Sequence, residues 1–150
     1  MLIRCLILMA LAAPMFAGGG PLLLSIGNPA AVNDPAAAGA LATVRVLFCG
    51  GRFSGAPTPA VTAEGLVNGR RVTQAVRVAP LQGSDLAAIH WSRPAAGTWV
   101  LRLVTSGREV YVPVGRSPIR PESHLLDWTA ARSLDRVLAE LAGAHAMAER

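Results

Sequence analysis

Val61-Thr62-Ala63-Glu64-Gly65-Leu66-Val67-Asn68-Gly69-Arg70-Arg71-Val72-Thr73-Gln74-Ala75-Val76-Arg77-Val78 is the stretch whose reading decides the fold. Apolar and polar side chains alternate on both sides of Asn68-Gly69, and period two marks a half-buried strand. Asn and Gly both tolerate the positive φ that a type I′ turn demands, so the pair predicts a two-residue hairpin. That turn sets Val67 opposite Arg70, Gly65 opposite Val72, Ala63 opposite Gln74 and Val61 opposite Val76. Val61, Ala63, Val67, Val72, Val76 and Val78 then share one face. Thr62, Glu64, Arg71, Thr73 and Arg77 share the other, where Glu64 lies diagonal to Arg71 and attracts it. Gln74 on the apolar face and Leu66 on the polar face are the two misfits.

A second hairpin follows from Gly97 to Val114, with Ser106-Gly107 as its turn. Leu103 then faces Val110, Leu101 faces Val112, and Trp99 faces Val114; a longer turn over Thr105–Arg108 leaves these faces unchanged. The reverse face carries Val100, Arg102, Glu109, Tyr111 and Pro113, with Arg102 and Tyr111 opposed as a stacked pair. Pro113 cannot donate to a ladder, which places its end at an edge or a bulge. Thr43 to Phe48 alternates with Arg45 outward. Leu86 to Trp91 alternates after a Gly83-Ser84-Asp85 turn. About six strands, each with an apolar face and turn signals between, predict a mainly β, immunoglobulin-like antiparallel β-sandwich over residues 41–116, with Trp91 and Trp99 filling the space between its sheets.

From Asp127 the period changes. Ala130, Ala131, Leu134, Val137, Leu138 and Leu141 recur at three- and four-residue steps, which predicts an amphipathic C-terminal helix within a linker-and-helix segment 117–150. Asp127 is a candidate cap, Arg136 and Glu140 an i,i+4 pair, and Gly143 a point of fraying. The apolar stripe must be buried on the sandwich, on a partner or on a membrane surface; docking on its own domain is the ordinary outcome.

The other end reads as an export signal over residues 1–17. Arg4 supplies the positive region, Leu6 to Phe16 the apolar run, and Ala17-Gly18 small residues suited to cleavage. Gly18-Gly19-Gly20-Pro21 interrupts the run before it reaches the roughly 20 residues a spanning helix needs. Leu22, Leu23, Leu24 and Ile26 resume it, so an uncleaved anchor over residues 2–26 is the alternative. Residues 18–40, rich in Gly, Pro, Ala and Asn, read as a flexible leader. The expected location is periplasmic or secreted, with a membrane partner only if the N-terminal segment is retained.

All basic residues are Arg: 14 against nine acids, for a formal charge of +5. They are scattered, only Arg70-Arg71 being adjacent, which argues against a nucleic-acid surface. Cys5 would leave with the signal. Cys49 then stands alone, and the fold must be stable without a disulfide. A lone exported thiol is open to oxidation or to Cu(I), so Cys49 is the one candidate metal ligand, with His145 and Met147 in the tail as the other soft groups. His90, His124 and His145 fall singly, without the spacing that fixes a metal locally; His90 reads as a solvated strand residue and His124 as a loop residue. No G-x-S-x-G elbow, paired-carboxylate motif or phosphate-cradling loop occurs.

Val61 to Gly69 together with Gly97-Thr98-Trp99-Val100-Leu101 resemble the small exported YtkA-like and FixH-like domains over about residues 41–114. The resemblance implies an immunoglobulin-type fold and, through the FixH-like members, a setting in cytochrome oxidase assembly. The sequence therefore leads to a non-enzymatic exported binding or accessory module without a cofactor, whose partner is another exported or membrane protein. Its candidate binding residues are Glu64, Arg71, Thr73 and Arg77. A copper chaperone or oxidase-assembly accessory protein using Cys49 is the alternative.

Overall fold

A computed structural model of the chain describes residues 22–48, 58–115, 119–126 and 133–148. Among them are nine strands: β1 (Leu22–Gly27), β2 (Ala42–Phe48), β3 (Ala60–Val67), β4 (Arg70–Ala75), β5 (Arg77–Pro80), β6 (Ala87–His90), β7 (Thr98–Thr105), β8 (Arg108–Val114) and β9 (Glu122–Leu126). One helix follows, α1 (Leu134–Ala148). The strands form two antiparallel sheets, ordered β5-β6-β2-β1-β9 and β4-β3-β7-β8. The sheets pack face to face as a β-sandwich, with α1 outside it.

Both hairpins take the register that their turn chemistry dictates. Val67 pairs with Arg70, Gly65 with Val72 and Ala63 with Gln74, around Asn68 at φ 50° and Gly69 at φ 73°. Leu103 pairs with Val110, Leu101 with Val112 and Trp99 with Val114, around Ser106 at φ 48° and Gly107 at φ 72°. Pro113 lies on β8, an edge strand of its sheet, where a missing donor is tolerated.

The inner faces meet in one apolar layer. Val61, Ala63, Trp99, Leu101, Leu103, Val112 and Val114 come from the four-stranded sheet; Leu22, Leu24, Ile26, Ala42, Val44, Val46, Ala87 and Ile89 come from the five-stranded one. Trp99 is buried and Trp91 half-buried, their rings 5.3 Å apart at 58°. Gln74, the misfit on the apolar face, accepts a hydrogen bond from the Trp91 indole Nε1 at 2.9 Å. A buried indole needs an acceptor, and Gln74 supplies it at the rim of the core.

Three expectations are corrected. The first concerns the leader. Residues 22–27 are β1, an inner strand paired on both sides by β2 and β9, and Leu22, Leu24 and Ile26 are core residues. Leu22, Leu23, Leu24 and Ile26 thus do not extend an apolar run: burial alternates along them, with Leu23 and Ser25 only half-buried. Residues 28–40 are also fixed. Asn28 caps one 3-10 turn (Pro29–Ala31) and Asp34 caps another (Pro35–Ala37). Ala37, Leu81 and Ala88 form a small apolar cluster under this segment. The compact domain therefore begins at β1 and not near Leu41.

The second correction divides the 70–78 strand. Ala75 pairs with Thr62 in one sheet, whereas Arg77 pairs with His90 in the other. The chain changes sheets at Val76, so Val76 does not pair with Val61. Alternation cannot reveal this, because β4 and β5 both present their valines to the same core.

The third concerns the linker. Residues 122–126 within it form β9 against β1, and the helix begins at Leu134. The Ser133 carbonyl accepts from Val137 N at 3.2 Å, and its Oγ accepts from Arg136 N at 3.4 Å. The candidate cap Asp127 lies outside the described residues, and α1 continues through Gly143 without ending there.

Candidate functional site

Two polar clusters and a helix share the outer face of the four-stranded sheet. The first cluster is built on the β3–β4 hairpin. Glu64 pairs directly with Thr73 across the ladder, and Arg71 lies on the same face two residue pairs nearer the turn, opposite Leu66. Thr73 Oγ1 donates to Glu64 Oε2 at 2.7 Å and Thr62 Oγ1 donates to Glu64 Oε1 at 3.1 Å. The Glu64 side chain is only 7 % exposed, while that of Arg71 is 48 % exposed. Burying a carboxylate requires such partners, since an unpaired one costs several kcal/mol. Arg71 Nη2 stands 3.7 Å from Glu64 Oε2, and its Nη1 donates to Asp135 Oδ1 of α1 at 3.0 Å. Arg71 thus joins sheet to helix.

The second cluster lies on β7 and β8. Arg102 is opposite Tyr111 in the ladder, as alternation requires. Its guanidinium is engaged by a carboxylate: Nε and Nη2 both reach Glu109 Oε2, at 2.8 and 2.7 Å. Tyr111 OH donates to Glu109 Oε1 at 2.5 Å. That hydrogen bond, with the Arg102 charge, holds the Glu109 carboxyl below its ordinary range against the opposing effect of burial. Burial and the Glu109 carboxylate push the Tyr111 phenol up to about 12. At neutral pH Glu109 is an anion and Tyr111 a proton donor.

Between the clusters runs an apolar strip. Val100 is buried beneath Val137 and Leu138 of α1, with Tyr111, Leu134 and Leu141 packed around them. The helix stripe is therefore docked on its own domain. Arg136 Nε reaches Glu140 Oε1 at 2.9 Å on the solvent side, the i,i+4 pair read from the sequence.

Of the four candidate binding residues, the structure brings Glu64, Arg71 and Thr73 together and separates Arg77. Arg77 belongs to β5 at the edge of the other sheet, because the chain crosses over at Val76. Glu64 differs from expectation in its burial: a polar-face residue is enclosed here by Thr62, Thr73 and Arg71. Arg102, Glu109 and Tyr111 were visible as a polar face but not as a hydrogen-bonded set. The signal was Glu109 and Tyr111 two residues apart on one strand face, opposite Arg102.

The remaining candidates lie elsewhere. His90 is half-buried on the outer face of the five-stranded sheet, not freely solvated; its Nε2 is 2.9 Å from the Ala36 carbonyl, which accepts its proton. His124 belongs to β9 and not to a loop, paired with Leu24. Cys49 and the side chains of His124 and His145 lie outside the described residues, and Met147 is exposed. Among the described residues, no group of three His, Cys, Asp or Glu side chains could hold a metal ion, and no helix is long and apolar enough to cross a membrane. A shallow depression over Pro29, Val32, Asn33, Asp34 and Pro35 marks the segment before β2. Asp34 is already occupied there, accepting from Ala36 N at 2.8 Å and from Gln82 N at 3.0 Å.

Comparison with protein-family models, with curated protein sequences and with solved structures finds no match.

Proposed function

We propose that this chain is an exported, non-enzymatic binding or accessory module that meets a protein partner on the outer face of its four-stranded sheet, at the corner of Arg71 and Thr73 beside α1. The observation that carries the reading is the buried Glu64 carboxylate. It takes hydrogen bonds from Thr62 and Thr73 and faces Arg71, and so fixes the last two side chains in place while both stay exposed at the rim. A guanidinium whose position is set before contact loses less side-chain freedom on binding. The β7–β8 cluster supports the same reading. Glu109 is held ionised and Tyr111 protonated, an arrangement suited to fixed charge and shape and not to moving protons near neutral pH. Export rests on the Met1–Ala17 layout, which ends shortly before the first residue of β1. The resemblance of residues 41–114 to YtkA-like and FixH-like domains supports an accessory role beside membrane proteins.

A photo-crosslinking residue at Thr73, in the full chain expressed in its own host, tests the binding reading. The expected result is a discrete adduct that is lost or strongly reduced with Arg71→Gln while the thermal melt stays within a few degrees. The same probe at Ala79, on the opposite sheet, should give no such adduct. Adducts of equal yield from both positions, or none from Thr73, would refute the proposed face. N-terminal sequencing of the exported product should begin at Gly18.

A further inference from the structure

The apolar contacts of this protein fall into separate clusters, and those of α1 share no residue with the sandwich interior. Val100, Val137 and Leu138, with Tyr111, Leu134 and Leu141, lie on the outside of the four-stranded sheet; Trp99, Leu101, Leu103 and their neighbours lie on the inside. The sheet stands between them. β7, which carries Val100, is paired by β3 on one side and β8 on the other. Its ladder needs nothing from the helix. The carboxylates of the face are also satisfied within the sheet: Glu64 by Thr62 and Thr73, Glu109 by Arg102 and Tyr111. The ion pair between Arg71 and Asp135 spans sheet and helix, and Asp135 is 76 % exposed.

From this arrangement we propose that α1 is a strap that lifts from the sheet as a unit while the sandwich stays folded. Lifting it bares Val100 beside the already exposed Arg71 and Thr73 and frees the arm of Arg71 that Asp135 holds, a role that rests on the binding reading above. The opening strips no strand of its neighbour and no sheet carboxylate of its donor. Among the described contacts between sheet and helix, it gives up those of four apolar helix side chains and the solvent-exposed Arg71–Asp135 ion pair. Such a combination marks an element drawn from the low-stability end of a fold. Gly143 within α1 further lowers the helicity of the lifted segment. While docked, Asp135 occupies one arm of Arg71, so the helix competes with any acidic group of the partner for the same guanidinium.

Amide hydrogen exchange on the full chain, without any partner, tests the strap. Amides of α1 should exchange at least a hundredfold faster than those of β7. Leu138→Ala should speed the α1 amides about tenfold or more and change those of β7 by less than twofold; Asp135→Ala should act in the same direction, more weakly. Equal exchange in α1 and β7 would overturn the proposal, because the helix would open only with global unfolding. Equal acceleration of both by Leu138→Ala would overturn it for the same reason. No response of α1 to Leu138→Ala would overturn it too, since the docked contact would not be what holds the helix. These results are read without the partner, whereas the Thr73 cross-link is read only with it, so either conclusion can fail alone.

Discussion

Gly65 lies against the flat face of Trp99, and a Cβ added there would meet Cε3 at 2.5 Å. The indole cannot slide away freely, because its Nε1 donates to the Ala96 carbonyl at 2.8 Å. Gly65→Ala should therefore destabilise the sandwich by about 1–3 kcal/mol, the usual range for overpacking a filled core. A thermal melt reads this directly, and an unchanged midpoint would show that β3 and β7 give way more easily than their register suggests. Tyr111 offers a pH test. Its phenol is raised to about 12 by burial and the Glu109 carboxylate, so the folded state holds this proton more tightly than the unfolded one. The resulting stability is fully present below the ordinary phenol value near 10 and is lost as pH rises through about 12. Glu109 has the opposite sign: its carboxyl is lowered chiefly by the Tyr111 hydrogen bond, so its contribution is present above the ordinary carboxyl range and is lost in acid. Tyr111→Phe should flatten the alkaline limb of a stability-versus-pH curve and shrink the acid limb. A variant whose two limbs match the wild type would contradict the hydrogen bond.

Among the elements, the hairpins were the most legible, since two independent signals agreed in each. Asn68-Gly69 and Ser106-Gly107 fixed the turns, and alternation fixed the faces; both registers follow. β1 was hidden because Leu22–Ile26 follows closely on the apolar run Leu6 to Phe16, and five residues carry too little pattern to stand apart from it. The division of β4 from β5 was hidden because a strand that changes sheets can keep its inward valines inward. The burial of Glu64 was hidden for a third reason: alternation gives the face a side chain takes but not how closely Thr62, Thr73 and Arg71 fold around it. The docking of α1 was legible as the ordinary fate of an apolar stripe, but Val100 as its seat was not, since one valine on a polar face gives no such sign. The segment 28–40 was misread from composition alone. Asp34 holds it by accepting two backbone hydrogen bonds, one of them from Gln82 across the turn before β6. Asp34→Ala should cost about 1 kcal/mol, as removal of a cap does, and should speed exchange of residues 35–40 more than that of β2. Equal change in both would mean that Ala37 and Leu81, and not Asp34, fasten the segment.

At the scale of the whole molecule, the five-stranded sheet depends on its N-terminal strand. β2 and β9 meet only through β1, and Leu22, Leu24 and Ile26 fill the layer between the sheets. Removing three such side chains deletes about 1.5–3 kcal/mol of burial for each, a loss comparable to the whole net stability of a small domain. A chain beginning at Leu41 should therefore remain unfolded by circular dichroism, whereas one beginning at Gly18 should fold. A cooperative melt from the shorter chain would mean that β9 can close against β2 unaided.

The seating of β1 also sets an order of events. Leu22 finds one partner in Phe48 and the other in Leu126, so the sheet stays unfinished until the chain has been synthesised past Leu126. Such distant pairing is slow to form. Until then β1 keeps an open edge, and the hydrophobic layer it completes has no stable lid.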